Sequence, residues 1–315
     1  MPRITSIFRK HLDLQLRVGG LRIRIVERPA LCLEACDLRQ LVNDLRRIAT
    51  ASVPAGELHY GIFDPDDDGL RRCVVTLIHD AQGNPIAFNA LALLDVMVRG
   101  ERETVVHLGL VLVDPGSRSQ GLSWILYGLT CIVLFIRNQL RPLWISNVTQ
   151  VPAIVGMVCE TFANAYPTPD PAAKRTFTQL QIAREIMAFH RHAFGVGPEA
   201  HFNETTQVIE NSYTGGSDAL KKTFAQVAKH RREIFNQMCA KELNYDRGDD
   251  FLQIAQINVQ TIVNYLIKDV PRRRIIRVLG LFSGTLLTAL LIPALHWFFS
   301  DRPWGILRAR GRTRP

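Results

Sequence analysis

Alternating apolar and polar residues in the first half of the chain predict β-strands. The alternation is clear at 21–26 (LRIRIV), and a period of two is that of a half-buried strand. The apolar stretches 73–79, 86–98 and 104–113 are also predicted to be strands. The sequences DAQGNP at 80–85 and RGER at 99–102 separate the last three stretches and supply residues that suit tight turns. Residues 70–115 are therefore predicted to form an antiparallel meander.

Farther along the chain, the apolar residues follow the spacing of helices. Apolar residues recur at helical spacing in 33–48, 122–139 and 153–165, and a strand is predicted at 143–148. A meander followed by helix, strand and helix predicts an α/β fold with a mixed, mostly antiparallel central sheet flanked by helices. Prolines at 167, 169 and 171 close this part. Residues 172–270 are predicted to be mostly helical, with a loop-rich stretch at 195–218.

A third part of the chain is strongly apolar. Residues 278–300 hold 23 consecutive uncharged residues, and about 20 apolar residues in a helix cross a bilayer core. The tryptophans Trp297 and Trp304 fall where interfacial aromatics are expected. A buried core helix is the alternative. The predicted division is 1–171 for the α/β domain, 172–271 for a helical region that forms an acceptor pocket or lid, and 272–315 for a C-terminal membrane helix with a basic tail.

Charge and cysteine content narrow the classes of function. The formal net charge is +9, but 272–315 alone carry nine arginines and a single acid, Asp301, so the rest of the chain is nearly neutral. Because the arginines flank an apolar segment, anionic lipid headgroups are the expected partner and nucleic acid is not. Six scattered cysteines indicate buried thiols in a reducing compartment, and their spacing predicts no metal site.

The junction at 111–123 (VLVDPGSRSQGLS) is the candidate for binding chemistry. A predicted strand ends at Val113, Asp114–Pro115–Gly116 makes a turn, and a predicted helix begins a few residues later. Unpaired amides and the dipole at the start of a helix favour phosphate or pyrophosphate.

These residues resemble the signature of the GNAT superfamily of acyl-CoA-dependent N-acyltransferases, which is Arg/Gln-x-x-Gly-x-Gly/Ala between a strand and a helix. Here it reads Arg118-Ser-Gln-Gly121-Leu-Ser123, preceded by Val113-Asp-Pro115. The resemblance covers about residues 20–167 and includes the order of the predicted elements. It implies acetyl-CoA or a longer acyl-CoA as co-substrate.

The resemblance also implies which residues bind the cofactor. Main-chain groups of Val111 and Val113 would pair with the pantetheine arm as an added strand. Asn147 matches an asparagine often found near the pantetheine. The pyrophosphate would lie on amides of the signature, whose residues are Arg118, Ser119, Gln120, Gly121, Leu122 and Ser123.

Catalytic residues follow from the same resemblance. In many members the general base lies on the strand before the signature, at a position that is His107 here, and Glu103 is the alternative. Period-two alternation places His107 on the same strand face as Gly109, Val111 and Val113. A structural histidine is the competing interpretation. The family's acid, a tyrosine in the following helix, is absent from 153–165; Tyr166, a water or no side chain at all would replace it.

The expected function is that of a membrane-associated N-acyltransferase that moves an acyl group from acyl-CoA, or from an acyl carrier protein, to an unidentified amine. Its catalytic domain is expected to face the cytoplasm. The alternative is a GNAT-fold protein without catalysis that senses acyl-CoA or serves as a membrane scaffold. Two further turns, NSYTGGSD at 211–218 and YDRGDD at 245–250, are interpreted as a plain loop rather than an anion site, and as a charged turn rather than a metal site.

Overall fold

The computed structural model describes residues 10–52, 61–64, 68–118, 121–122, 124–214 and 221–268. Its strands are β1 Asp13–Val18, β2 Leu21–Glu27, β3 Cys73–His79, β4 Pro85–Val98, β5 Glu101–Val113, β6 Leu143–Thr149, β7 Ala163–Tyr166, β8 His201–Asn203, β9 Val208–Glu210 and β10 Asp250–Ile257. Its α-helices are α1 Pro29–Cys32, α2 Ala35–Ser52, α3 Thr130–Arg137, α4 Pro152–Thr161, α5 Phe177–Glu185, α6 Glu233–Glu242 and α7 Val259–Lys268. A π-helical turn, Trp124–Leu129, leads into α3, and another, Ile186–His190, extends α5.

The strands form a single mixed sheet, in the order β1-β2-β3-β4-β5-β6-β10-β9-β8, with β7 pairing with β10. Every described pairing is antiparallel except that of β5 with β6. This confirms the prediction of a mixed, mostly antiparallel sheet flanked by helices. The meander is present as β3, β4 and β5, because short apolar runs separated by turn residues are local signals that the tertiary structure leaves intact.

Helices cover both faces of the sheet. On one face, α3, α4 and α7 share a core with alternate residues of the strands, including Ile132, Val158 and Ile262. On the other face, α2 packs on β3 and β4, and α5 packs on β4, β5 and β10. We call these the α3 face and the α5 face. A fourth cluster joins α4 and α6 to the start of β10.

The region 172–270 differs from the prediction of a mostly helical segment, since it contains β8, β9 and β10. Strand β10 is buried on both faces and pairs with β6 from Phe251 to Ile257. A strand buried on both faces loses the alternation that identifies a half-buried one, so its short apolar run cannot be distinguished from a helix segment by periodicity. Similarly, the helix predicted to reach residue 165 ends at Thr161, and β7 follows.

The expectation of a membrane location is corrected by the structure. No helix in the part of the chain that the structure describes is both long and apolar enough to cross a bilayer. The apolar segment 278–300 and its flanking arginines lie outside the described residues. The boundaries drawn at 171 and 271 remain predictions.

Candidate active site

Strands β5 and β6 separate partway along the sheet. They run parallel and pair only through Val106 with Ile145 and His107 with Ser146. Beyond His107, β5 pairs with β4 alone, while β6 continues to pair with β10 as far as Thr149. Among the described residues, the carboxyl-terminal half of β5 therefore has one edge without a strand partner, and residues 109–113 along it are half-buried. The Val113 carbonyl accepts a hydrogen bond from the Ser52 hydroxyl at 3.1 Å.

A β-bulge marks the point of separation. Ala90 pairs with Leu110, but Ala92 pairs with His107, so β5 has one more residue than β4 between these pairs. A Cβ on Gly109 would lie 2.5 Å from the carbonyl oxygen of Ala90, so the close approach at the bulge requires glycine. Bulges of this kind re-aim side chains and are common beside active sites.

The bulge corrects the prediction about strand faces. Val111 and Val113 pack against the core on the α3 face, whereas His107 stacks on Phe194 on the α5 face. An extra residue in a strand reverses the alternation beyond it. His107 therefore does not share a face with Val111 and Val113, contrary to simple alternation.

His107 is enclosed by uncharged groups. His107 is only 3% exposed. Its Nδ1 is 3.0 Å from the hydroxyl oxygen of Ser146, and its ring centroid is 4.8 Å from that of Phe194. Burial lowers the pKa of His107 from 6.5 to about 4, because the apolar surroundings disfavour the imidazolium. The ring is therefore neutral at pH 7. Because Ser146 contacts Nδ1, Nε2 is the ring nitrogen that Ser146 does not contact.

The predicted signature lies at the end of the free β5 edge. The Asp114 side chain accepts a hydrogen bond from the Gly116 amide at 2.9 Å and caps a short 3-10 turn. Gly121 has a left-handed φ of 64°, and a Cβ there would meet nothing within 4 Å. Arg118 and Gly121 are exposed, and Leu122 is buried. Ser119, Gln120 and Ser123 lie outside the described residues.

A buried polar cluster that sequence reasoning missed supports the helix after the signature. The Asn89 side chain accepts from the Thr76 amide at 3.2 Å and donates to the carbonyl oxygen of Leu126, inside the π-helical turn. The hydroxyls of Thr76 and Thr130 are 2.6 Å apart. The cluster ties this turn to the sheet. An asparagine within an apolar strand was the available sequence signal.

The other predicted catalytic residues do not gather around His107. Glu103 is exposed near the start of β5, and four residues of strand place it about 13 Å from His107. Tyr166 pairs with Ile254, which pairs with Ser146, so three strand spacings separate its backbone from that of His107, about 14 Å. Their roles remain predictions.

Asn147 lies beside the point of separation on the α3 face. It is 3% exposed and donates to the side-chain oxygen of Gln253 at 3.2 Å. The nitrogen of Gln253 in turn donates to the Pro167 carbonyl at 3.2 Å. Asn147 is thus held by the protein, and a bond from it to a pantetheine arm remains a prediction.

The acidic turn at 245–250 holds an ion pair and a buried carboxyl group. Arg247 pairs with Asp249 at 2.7 Å. Asp250 accepts from the hydroxyl of Ser212 and from that of Tyr213, the latter at 3.3 Å. Burial raises the pKa of Asp250 from 3.8 to about 7. Within the described ranges, no three His, Cys, Asp or Glu residues are arranged to hold a metal ion.

Comparison with known proteins gives only weak similarity. No protein-family model matches the chain, and no curated protein matches it. Among solved structures, a probable N-acyltransferase from Enterococcus faecalis V583 is 10% identical over 39% of this chain, with a TM-score of 0.30, and the match spans only 31% of that protein. A spermidine N-acetyltransferase mutant from Vibrio cholerae is 17% identical over 45% of this chain and 78% of its own, with a TM-score of 0.29. An acetyltransferase from Trypanosoma brucei is 22% identical over 36% of this chain and 73% of its own, with a TM-score of 0.24. At TM-scores this low the likeness carries no argument about this chain.

Proposed function

We propose that this protein is an N-acyltransferase that takes its acyl group from a thioester of phosphopantetheine, such as acetyl-CoA or a longer acyl-CoA, and transfers it to an amine. One observation carries the proposal: β5 and β6 separate after His107 and leave a strand edge without a strand partner that ends at Val113, just before the turn Pro115–Ser117. That edge offers the amide donors and carbonyl acceptors that an extended ligand with amide groups needs.

The geometry suits a pantetheine arm because the arm is extended and contains two amide groups. It can pair with the free edge of β5 as an added strand would. Its phosphate end would then lie near residues 114–118, which precede the π-helical turn that leads into α3. Unpaired amides at the first turn of a helix favour phosphate.

The thioester would lie at the bulge, where a β5 amide can donate to the thioester carbonyl. Such a fixed donor stabilises the oxyanion that develops when the amine attacks. The amine nitrogen forms a bond to the carbonyl carbon, the carbon–sulfur bond breaks, and the thiolate leaves and takes a proton from water. The attacking nitrogen must lose a proton, and we assign Nε2 of His107 as the acceptor.

The protonation state of His107 suits that role only in part. A pKa of about 4 keeps the imidazole unprotonated at neutral pH, as a base must be, but it also makes the imidazole a weak proton acceptor. We therefore place its action late, when the nitrogen already bears positive charge in the tetrahedral adduct and is more acidic. Proximity and the oriented carbonyl would supply most of the acceleration.

Titration calorimetry of the full-length chain with acetyl-CoA and octanoyl-CoA tests the binding part. Gly121→Trp should abolish binding by filling the space beside the loop. Gly100→Trp is the matched control, since Gly100 is also an exposed glycine with a left-handed φ and open space around it but lies at the opposite end of β5. If neither thioester binds to the unmodified chain, the proposal fails.

The enclosure of His107 favours a second candidate, a protein that binds acyl-CoA without catalysing transfer. His107 is stacked on Phe194 and 3% exposed, an environment typical of a structural histidine. Release of free thiol from acetyl-CoA in the presence of a panel of primary amines separates the two. Binding without any thiol release would support the sensor, and thiol release that His107→Gln removes would support the transferase.

A further inference from the structure

Residues 221–232 form a strongly basic surface segment, which we call the basic rim. Five of its residues are exposed cations, and it contains no aspartate or glutamate. The cations are Lys221, Lys222, Lys229, Arg231 and Arg232. A carboxylate from outside the segment, Glu160 on α4, lies 2.8 Å from Arg231 and 3.3 Å from Arg232. Among the described residues, Glu160 is the one carboxylate that forms ion pairs with these cations, and Glu233 directly follows the segment.

Two contacts tie the basic rim to the corner between β6 and α4. The Ala153 amide, in the first turn of α4, donates to the Ala228 carbonyl at 3.1 Å. The side-chain amide of Gln150, oriented with its oxygen toward the Lys222 amide, makes bonds of 3.2 Å and 3.1 Å to the backbone of Lys222. Gln150 directly follows β6, at the end where β6 has separated from β5. The basic rim therefore lies beside the mouth of the opening between the two strands.

From this corner the rim follows α4. The His230 ring packs against Gly156, where a Cβ would lie 2.5 Å from the ring, and its Nε2 is 3.6 Å from Glu160. Gly156 and Glu160 are one turn apart on α4, so the rim runs along a helix of ten residues, about 15 Å in length. The rim thus begins beside the mouth at Lys222 and extends away from it along α4 to Arg231 and Arg232, which pair with Glu160.

We propose that the basic rim is a docking surface for an acidic acyl carrier protein, whose phosphopantetheine arm delivers the thioester into the opening between β5 and β6. The inference rests on the proposed function and concerns what carries the donor. One or two cations suffice to bind the phosphates of free CoA, which lie close together. Positive charge spread over about 15 Å instead matches an extended acidic surface on a protein. Complementary charge of this kind steers association and fixes orientation.

The test compares two donors that share the acyl-pantetheine arm and differ in what bears it: an octanoyl-loaded acidic acyl carrier protein and octanoyl-CoA. Lys222→Glu combined with Arg231→Glu should raise the Kd for the carrier protein about tenfold at low ionic strength and leave the Kd for octanoyl-CoA within about twofold. The matched control is Arg39→Glu with Arg46→Glu, the same charge change at exposed positions of α2 on the α5 face. It should alter neither Kd.

Added salt should weaken binding of the carrier protein to the unmodified chain more than to the rim variant, because salt screens exposed charges. If Lys222→Glu with Arg231→Glu raised the Kd of both donors equally, the inference would be overturned, since the cations would then bind phosphates of the nucleotide. Unchanged carrier binding, or binding of octanoyl-CoA alone, would overturn it and leave the proposed function intact. Binding of neither donor to the unmodified chain would overturn both. Lys222→Ala with Arg231→Ala gives a milder second variant should the charge reversal fail to fold.

Discussion

Replacing His107 by glutamine should make the fold less sensitive to acid. The folded protein holds the pKa of His107 near 4, against 6.5 for an exposed histidine. Between these values the unfolded chain binds more protons than the folded one, so stability falls as the pH falls. For a pKa of about 4 in the folded state, lowering the pH from about 7.5 to about 5 should cost about 2 kcal/mol through this group alone.

The assay is urea unfolding of the unmodified chain and of His107→Gln at both pH values. Glutamine approximates the size of histidine and can bond to Ser146, but it does not titrate. The unmodified chain should lose about 2 kcal/mol more than the variant between the two pH values. Because other groups titrate equally in both proteins, the difference isolates His107. Equal losses would refute the reasoning and mean that the ring is solvated or paired with a charge.

Asp250→Asn should change the same profile in the opposite sense. Burial raises the pKa of Asp250 to about 7, so at pH 5 the folded state binds a proton that the unfolded chain does not. Over the same fall in pH, the unmodified chain should gain about 2 to 3 kcal/mol of unfolding free energy relative to this variant. A gain below about 1 kcal/mol would contradict the prediction. Gly109→Ala should destabilise the fold by about 1 to 3 kcal/mol and abolish binding of octanoyl-CoA, because its Cβ would meet the Ala90 carbonyl at 2.5 Å. Gly116→Ala is its control in thermal unfolding, since a Cβ there meets only the Asp114 side chain, at 3.2 Å; equal effects of the two substitutions on stability would show that the bulge tolerates a side chain.

The meander and the helix after the signature could be predicted because their signals are local. Strand β3 has the predicted bounds, and β4 begins one residue earlier than predicted. The helix predicted at 122–139 is present as the π-helical turn and α3. What the sequence does not contain is the reason for the π-helical turn, since Asn89 reaches Leu126 from a strand more than thirty residues away.

Apolar runs, turn residues and charge determine, in the sequence by itself, that this protein is an α/β protein with a mostly antiparallel meander, a turn after Val113 and a basic stretch at 272–315. Only the tertiary structure decided the rest. A single extra residue in β5 separates the face of His107 from that of Val111, β10 inserts between β6 and β9, and the basic rim comes to lie beside the opening. Each of these depends on which distant strand or helix a residue meets, and contacts of that kind leave no periodic signal in the chain.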